Sequence, residues 1–206
     1  ASDVYKRQVV MGLDGDLFEN AIVAMKNDRG VASDTDLTAE DLQELVDEVG
    51  SDAARYTLIS KSSNQMVDFD IEAVKKRDNS NPVYYVQYAH ARICSILKNL
   101  KADGIEPREC TPEELKLLST PEEVELIRHL SSYTDELISA AKSFDPARIP
   151  KYAVSLATLF HKFYNACRVK GVDEPLQAAR LYLCLAARTV ICNALSLFKV
   201  NVPDSM

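Results

Sequence analysis

Five prolines that each follow a polar residue constrain the fold of this chain more than any other feature. The pairs are Asn81-Pro82, Thr111-Pro112, Thr120-Pro121, Asp145-Pro146 and Glu174-Pro175. Proline suits the first position of a helix, because the N–H group that it lacks would have no partner there. An Asn, Thr or Asp before it accepts hydrogen bonds from the free N–H groups of the first turn. The pairs therefore predict helices over about 82–100, 112–118, 121–143, 146–169 and 175–198, with the fourth start displaced to near residue 149 by Pro150.

The last of these helices is apolar around most of its circumference. Its apolar residues include Leu181, Leu183, Cys184, Leu185, Ala186, Val190, Ile191, Leu195 and Leu197. A helix of this kind belongs at the centre of a bundle. The predicted fold is therefore mainly α, with a helical bundle over residues 79–206 that follows a small mixed connecting segment.

The connecting segment, residues 9–78, contains both strand-like and helix-like sequence patterns. Its predicted elements are strands at Val9–Met11 and Ala21–Met25, helices at 42–49 and 52–59, and an extended stretch at Met66–Asp70. A turn-like stretch at Gly12–Asp16 separates the two strands, alternation of apolar and polar residues indicates the extended stretch, and apolar residues three and four apart indicate the helices. Ala1–Gln8 has no periodicity, and we interpret it as a non-native tail.

Composition and cysteine usage exclude several classes of protein. No uncharged apolar run reaches the roughly 18 residues that a membrane span needs, and no basic-then-apolar leader opens the chain. The five cysteines are an odd number and form no CxxC pair, which argues against a disulfide framework or a zinc site. We therefore expect a cytoplasmic protein with reduced thiols, without a metal site and without a membrane partner.

Charge is distributed unevenly along the chain. The net charge is −7, which argues against nucleic-acid binding over the whole surface. Residues 145–206, however, carry eight basic and four acidic residues, a net charge of +4, whereas residues 1–144 carry −11. This asymmetry fits a localised polyanion-binding surface, although from charge alone solvated helix faces are the simpler interpretation.

Three stretches are specific enough to identify a family. They are NPVYYVQYAHARICSI at 81–96, SLATLFHKFYN at 155–165 and ARLYLCLAARTVICNALSLFKVNVPDSM at 179–206. Together with DEVGSDAARYTL at 47–58 and VDFDIEAV at 67–74, they follow the order seen in arginyl-tRNA synthetases. The chain resembles the C-terminal part of such an enzyme over about residues 38–206. The resemblance implies the helical anticodon-binding domain named after a DALR signature, whose position here is QAAR at Gln177–Arg180.

The resemblance also implies an activity of the longer enzyme. Arginyl-tRNA synthetases are class I enzymes that use ATP, with magnesium, to attach arginine to tRNA(Arg). Their catalytic half carries HIGH and KMSKS signatures, and this chain has no His-x-Gly-His. Its nearest KMSKS-like stretch, residues 25–30, retains Lys26 and Arg29, which would place positive charge on ATP phosphates. We therefore expect the chain by itself to be inactive and to hold no cofactor. The alternative for residues 25–30 is a solvent-exposed loop.

The expected contacts with tRNA lie on two helices and at the C-terminus. Tyr85, Tyr88 and Arg92 follow i, i+3, i+7 spacing and share one helix face. Such a stripe is by itself more often core packing, but in related enzymes this helix binds the anticodon loop. Tyr164 and Arg168 form a second pair at i, i+4, and aromatic rings and guanidinium planes both stack on unpaired bases.

Three other residues complete the expected picture of this surface. The resemblance places the C-terminal Met206 near the anticodon, although the alternative for it is a frayed terminus. Tyr84 lies off the stripe and is expected in the core, and His90 is expected to be a buried, hydrogen-bonded imidazole without a metal or catalytic role.

Three hypotheses follow from the sequence. The first is the anticodon-binding part of an arginine–tRNA ligase, a monomer that binds tRNA(Arg). The second is a stand-alone helical adaptor that descends from a synthetase and binds protein partners. The third, a helical domain of another class I synthetase, is disfavoured by the stretch at 81–92.

Overall fold

The computed structural model describes residues 46–62 and 70–206, and every described element is helical. After a helical stretch at residues 46–49, the helices are α1 (Ser51–Ile59), α2 (Ile71–Lys75), α3 (Pro82–Ala102), α4 (Pro112–Leu115), α5 (Pro121–Ser131), α6 (Tyr133–Ser143), α7 (Arg148–Ala166) and α8 (Glu174–Ser196). The predicted mainly α fold is confirmed. The two predicted strands, the loop with Lys26 and Arg29, and residues 66–69 of the predicted extended stretch lie outside the described residues.

The polar residue–proline pairs open helices through their predicted caps at three of the five positions. Asn81 accepts a hydrogen bond from the Val83 N–H at 3.2 Å, and its amide donates to the carbonyls of Val74 and Lys76. Thr111 and Thr120 each form a capping box with the glutamate three residues later. Local interactions are sufficient to start the helix at these positions, because each capping bond involves residues in or next to the first turn.

Other predicted helix boundaries were wrong by a few residues. Helix α4 ends at Leu115, α7 runs from Arg148 to Ala166, and α8 begins at Glu174 without a side-chain cap. The predicted helix over 121–143 is two helices that meet at Ser132. The hydroxyls of Ser131 and Ser132 donate to carbonyls three residues back, each at 2.8 Å, and such bonds compete with the helical N–H ladder.

Helices α7 and α8 form the centre of the bundle. Helix α7 packs against α3, α5, α6 and α8, and α8 also contacts α3, α4 and α5. The largest fully buried side chains are Tyr56, Ile93, Leu126, Leu156, Phe160, Phe163, Leu181, Ile191 and Leu195. Within the described part of the chain, α8 is the one helix long and apolar enough to cross a membrane, and 56% of that stretch is buried inside the bundle. Its apolar character is therefore accounted for by packing.

A buried ion pair ties the start of α5 to α8. Arg180 Nε donates to Glu123 Oε1 at 2.7 Å, and the Glu123 side chain is fully buried. The other carboxylate oxygen of Glu123 accepts from the Thr120 N–H at 2.9 Å. Arg180 Nη1 also donates to the carbonyl of Arg168 at 2.7 Å. The arginine of the QAAR tetrapeptide therefore holds the loop after α7 in place.

Candidate nucleic-acid interface

A groove lies where the first half of α3 meets the last two turns of α7. It encloses about 580 Å³, and we call it the aromatic groove. Its lining residues are Arg77, Asp78, Asn79, Tyr84, Tyr85, Tyr88, Arg92, His161 and Asn165. Tyrosine rings and a guanidinium at one surface provide stacking planes and a phosphate-binding charge, which are the groups that unpaired RNA needs.

Four of the residues singled out in the sequence come together around this groove. Tyr85, Tyr88 and Arg92 lie on one face of α3, and Arg92 Nη2 donates to Tyr88 Oη at 2.9 Å. The Arg92 guanidinium carbon lies 4.9 Å from the centre of the Tyr88 ring and 5.0 Å from that of Tyr164 on α7. Arg92 therefore joins the two helices through contacts with both rings. Tyr164 itself is 38% exposed, so its ring remains available to a ligand.

Of the two adjacent tyrosines of α3, Tyr84 has a different environment from the one that the sequence predicted. Tyr84, expected in the core, is half-buried and lines the groove. Its ring is parallel to that of Tyr88, with 6.4 Å between the ring centres and 4° between the planes. Tyr85 is the one whose ring packs partly against the core. The expectation for Tyr84 was wrong because α1 and α2 do not cover this side of α3 completely, which helical spacing alone does not reveal.

His161 is one of the groove residues that sequence reasoning missed, together with Arg77 and Asn165. Its ring centre lies 5.0 Å from that of Tyr85 and 5.8 Å from that of Tyr88. Arg92 Nη1 lies 3.4 Å from His161 Nδ1. Burial, together with the charge of Arg92, lowers the pKa of His161 to about 4, so the imidazole is neutral at pH 7. The signal was present in the sequence, since His161 precedes Tyr164 by three residues and shares its helix face.

The basic residues that follow Tyr164 lie outside the aromatic groove. Helix α7 ends at Ala166, so Arg168 does not continue the helical face of Tyr164. Its backbone carbonyl is held by Arg180, and its side chain is exposed. Lys170 forms an ion pair with Asp103 at 2.5 Å, and Lys162 lines a neighbouring hollow with Asn165. Arg168 and Lys162 are therefore exposed charges, and neither lines the aromatic groove.

A second groove, about 590 Å³, contains the C-terminus. The chain's last two residues line it, together with Val49–Ala53, Val74–Arg77, Asn81, Val83, Tyr84 and Gln87. Arg77 and Tyr84 line both grooves and form the ridge between them. Met206 is 51% exposed, so its side chain is partly accessible beside this ridge.

The C-terminal tail is held along α3 by a series of polar contacts. Asn201 is held by Asp52 and Gln87, and Asp204 lies 3.7 Å from Arg188 Nη2. The carbonyl of Pro203 lies 3.0 Å from His90 Nδ1, while Arg188 Nε donates to His90 Nε2 at 3.3 Å. The prediction that His90 is a buried, hydrogen-bonded imidazole is confirmed.

His90, Cys94 and Asp204 also lie close enough to hold a metal ion, with ligand atoms within 4.8 Å of one another. Two observations favour a different role for this cluster. Arg188 places a positive guanidinium against both His90 and Asp204. Burial, assisted by Asp204, raises the pKa of the Cys94 thiol to about 11, so the thiolate that binds metals is disfavoured. The cluster is arranged to hold the tail.

Comparison with known proteins places this geometry in a family. The sequence profile described as "DALR anticodon binding domain" matches residues 86–206. Arginine–tRNA ligases of Ruminiclostridium cellulolyticum and Caldanaerobacter subterraneus are each 46% identical over 165 residues, which are 80% of this chain. The chain spans 29% of the length of each of these relatives. The solved arginyl-tRNA synthetase of Thermus thermophilus shares the fold, with a TM-score of 0.66, at 24% identity over 93% of this chain and 32% of that one.

Proposed function

Because the chain belongs to the family of DALR anticodon binding domains, we propose that it binds the anticodon loop of tRNA(Arg). The observation that carries the proposal is the convergence of Tyr85, Tyr88 and Arg92 in one partly open groove, with the Tyr164 ring beside it in contact with Arg92. Unpaired bases stack on such rings, and each stacked base contributes about 1–3 kcal/mol. Arg92 and Arg77 supply charge for the adjoining phosphates.

The grooves on either side of the Arg77–Tyr84 ridge give this proposal a path for the RNA. A strand that leaves the aromatic groove crosses the ridge and reaches Met206 in the second groove. Exposed Arg168 and Lys162 attract the backbone. Recognition by rings and a few charges is compatible with the net charge of −7, because the attraction is confined to one surface.

The activity that this binding serves is the attachment of arginine to tRNA(Arg) by a longer protein. The relatives are arginine–tRNA ligases, and we propose that ATP, magnesium and arginine are used by a catalytic half that includes a HIGH motif. We propose that Lys26 and Arg29 contribute charge to the ATP site of that protein. Binding of the anticodon loop then places the acceptor end of the tRNA at the catalytic centre. The setting is cytoplasmic and monomeric, without a membrane.

A stand-alone adaptor for protein partners is not favoured. The curated relatives are ligases, and the groove residues are aromatic rings and a guanidinium, which suit stacking on bases. The chain by itself is proposed to bind tRNA without catalysing any step. ATP–pyrophosphate exchange by the purified 206-residue chain would contradict this part of the proposal.

The proposal is tested by titrating the 206-residue chain with tRNA(Arg) and a non-cognate tRNA at low and near-physiological salt. Tyr88→Ala and Tyr164→Ala are expected to weaken binding of tRNA(Arg) by about 5- to 150-fold each, the loss of one stacked base. Tyr182→Ala is the matched control, since Tyr182 is 41% exposed on α8 and lines neither groove. Equal affinity for both tRNAs that disappears at near-physiological salt would refute the proposal.

A further inference from the structure

Among the described residues, one buried side-chain nitrogen or oxygen has no hydrogen-bond partner, and it is Nε2 of His161. Buried polar atoms are almost always paired, because an unpaired buried donor costs about 1–3 kcal/mol. His161 is also a lining residue of the aromatic groove. The side chain that carries this unpaired, buried atom therefore lines the groove that we propose for RNA.

The contacts of the imidazole determine which of its nitrogens carries the proton. A guanidinium can only donate, so Nδ1, which lies 3.4 Å from Arg92 Nη1, is the acceptor. The proton of the neutral ring is then on Nε2. His161 remains neutral at pH 7, because burial and Arg92 both disfavour its charged form. The groove thus contains a neutral N–H donor whose partner is missing.

Stacking and hydrogen bonding contribute differently to recognition. The rings of Tyr85 and Tyr88 flank His161 and accept any base, since every base has a π face. A buried donor discriminates, because a base that presents no acceptor leaves it unpaired. A groove in which the rings stack on any base, but one N–H donor needs an acceptor, can therefore distinguish between bases.

From this combination we propose that His161 is a specificity-determining residue that donates from Nε2 to a ring-nitrogen or carbonyl acceptor of one base in the loop. This proposal rests on the proposed function, and it adds the atom that recognises a base by a hydrogen bond. Arg92 contacts both His161 and the Tyr88 and Tyr164 rings. The contact of Arg92 with Nδ1 keeps the proton on Nε2, so base recognition by His161 depends on Arg92 as well.

The experiment uses the 206-residue chain and an RNA hairpin with the anticodon stem and loop of a tRNA(Arg). Affinity is measured for this hairpin and for a set in which each loop base is replaced in turn. His161→Phe keeps a ring and removes the donor, whereas His161→Gln keeps an N–H group near the Nε2 position. His129→Phe is a control, since His129 stacks on Tyr152 and lines neither groove.

His161→Phe is expected to weaken binding of the parent hairpin by about 5- to 150-fold, the cost of one unpaired buried group expressed as affinity. One of the base replacements should weaken binding by the unmutated chain by a similar factor but should hardly change binding by His161→Phe. That replacement identifies the base that His161 contacts. His161→Gln should recover part of the discrimination. The melting temperature of His161→Phe without RNA should be equal or higher, because an unpaired buried donor has been removed.

Two results would overturn the inference while leaving the proposed function intact. One is unchanged affinity of His161→Phe for the parent hairpin. The other is an equal loss of affinity for every loop, together with a lowered melting temperature, which is the behaviour of a residue that only supports the fold. If the unmutated chain does not prefer the tRNA(Arg) loop, the proposed function fails and the inference fails with it.

Discussion

Removal of one partner of the buried ion pair between Glu123 and Arg180 is expected to destabilise the bundle strongly. Glu123 is fully buried, and the Arg180 side chain is only 10% exposed. Arg180→Ala leaves a buried carboxylate without its cation and also releases the carbonyl of Arg168. Breaking such a pair costs about 3–5 kcal/mol. For a chain of this size the melting temperature should fall by about 6–20 °C.

The assay is urea and thermal unfolding followed by circular dichroism. Arg148→Ala is the matched control, because Arg148 makes a similar ion pair with Glu136 at 2.8 Å, but both side chains are about one-third exposed. Pairs of that kind contribute about 0–1 kcal/mol. The double variant Glu123→Leu/Arg180→Met should recover part of the lost stability, since it removes both charges, while the Thr120 N–H and the Arg168 carbonyl still lack their side-chain partners. An Arg180→Ala variant no less stable than Arg148→Ala would refute the reasoning.

The remaining predictions concern pH and the tail. Burial opposes ionisation of Glu123, but the Thr120 N–H and Arg180 outweigh it and lower the pKa. The ion pair should therefore stabilise the fold fully above the unfolded-state pKa of about 4.3, and this stabilisation should be lost as the pH falls through the lower folded-state pKa. The loss should appear as a fall in the urea midpoint of the unmutated chain. The Glu123→Leu/Arg180→Met variant should not show that fall. The pKa of His161 is about 4 in the folded chain against 6.5 ordinarily, so the unfolded chain binds the proton first. Stability should fall as the pH decreases from 6.5 towards 4, and a His161→Phe variant with an unchanged slope there would contradict this. Arg188→Ala removes the contacts to His90 and Asp204, and amide exchange at residues 200–206 should accelerate while the core of α8 stays protected.

Helix starts and the mainly α fold could be predicted from the sequence because their causes are local. A proline at the first helical position and a capping side chain next to it act within one turn, as at Thr111 and Thr120. The apolar circumference of residues 175–198 likewise indicated a central helix before any contact was known. Tyr85, Tyr88 and Arg92 were found by helical spacing and by resemblance, whereas Tyr84 and Arg77 were not expected at the groove.

The tertiary structure decided which of these side chains meet and which are covered. Tyr84 and Tyr85 are neighbours in sequence, yet the packing of other helices leaves Tyr84 at the groove and presses Tyr85 partly against the core. His161 joins the site because α7 crosses α3 where Tyr85 and Tyr88 project, a contact between residues about 75 apart. The partners of Arg180 and of the C-terminal tail are also distant in sequence, at separations of 57 and 113 residues. A linear pattern determines local backbone geometry, whereas burial and pairing depend on how helices pack against one another.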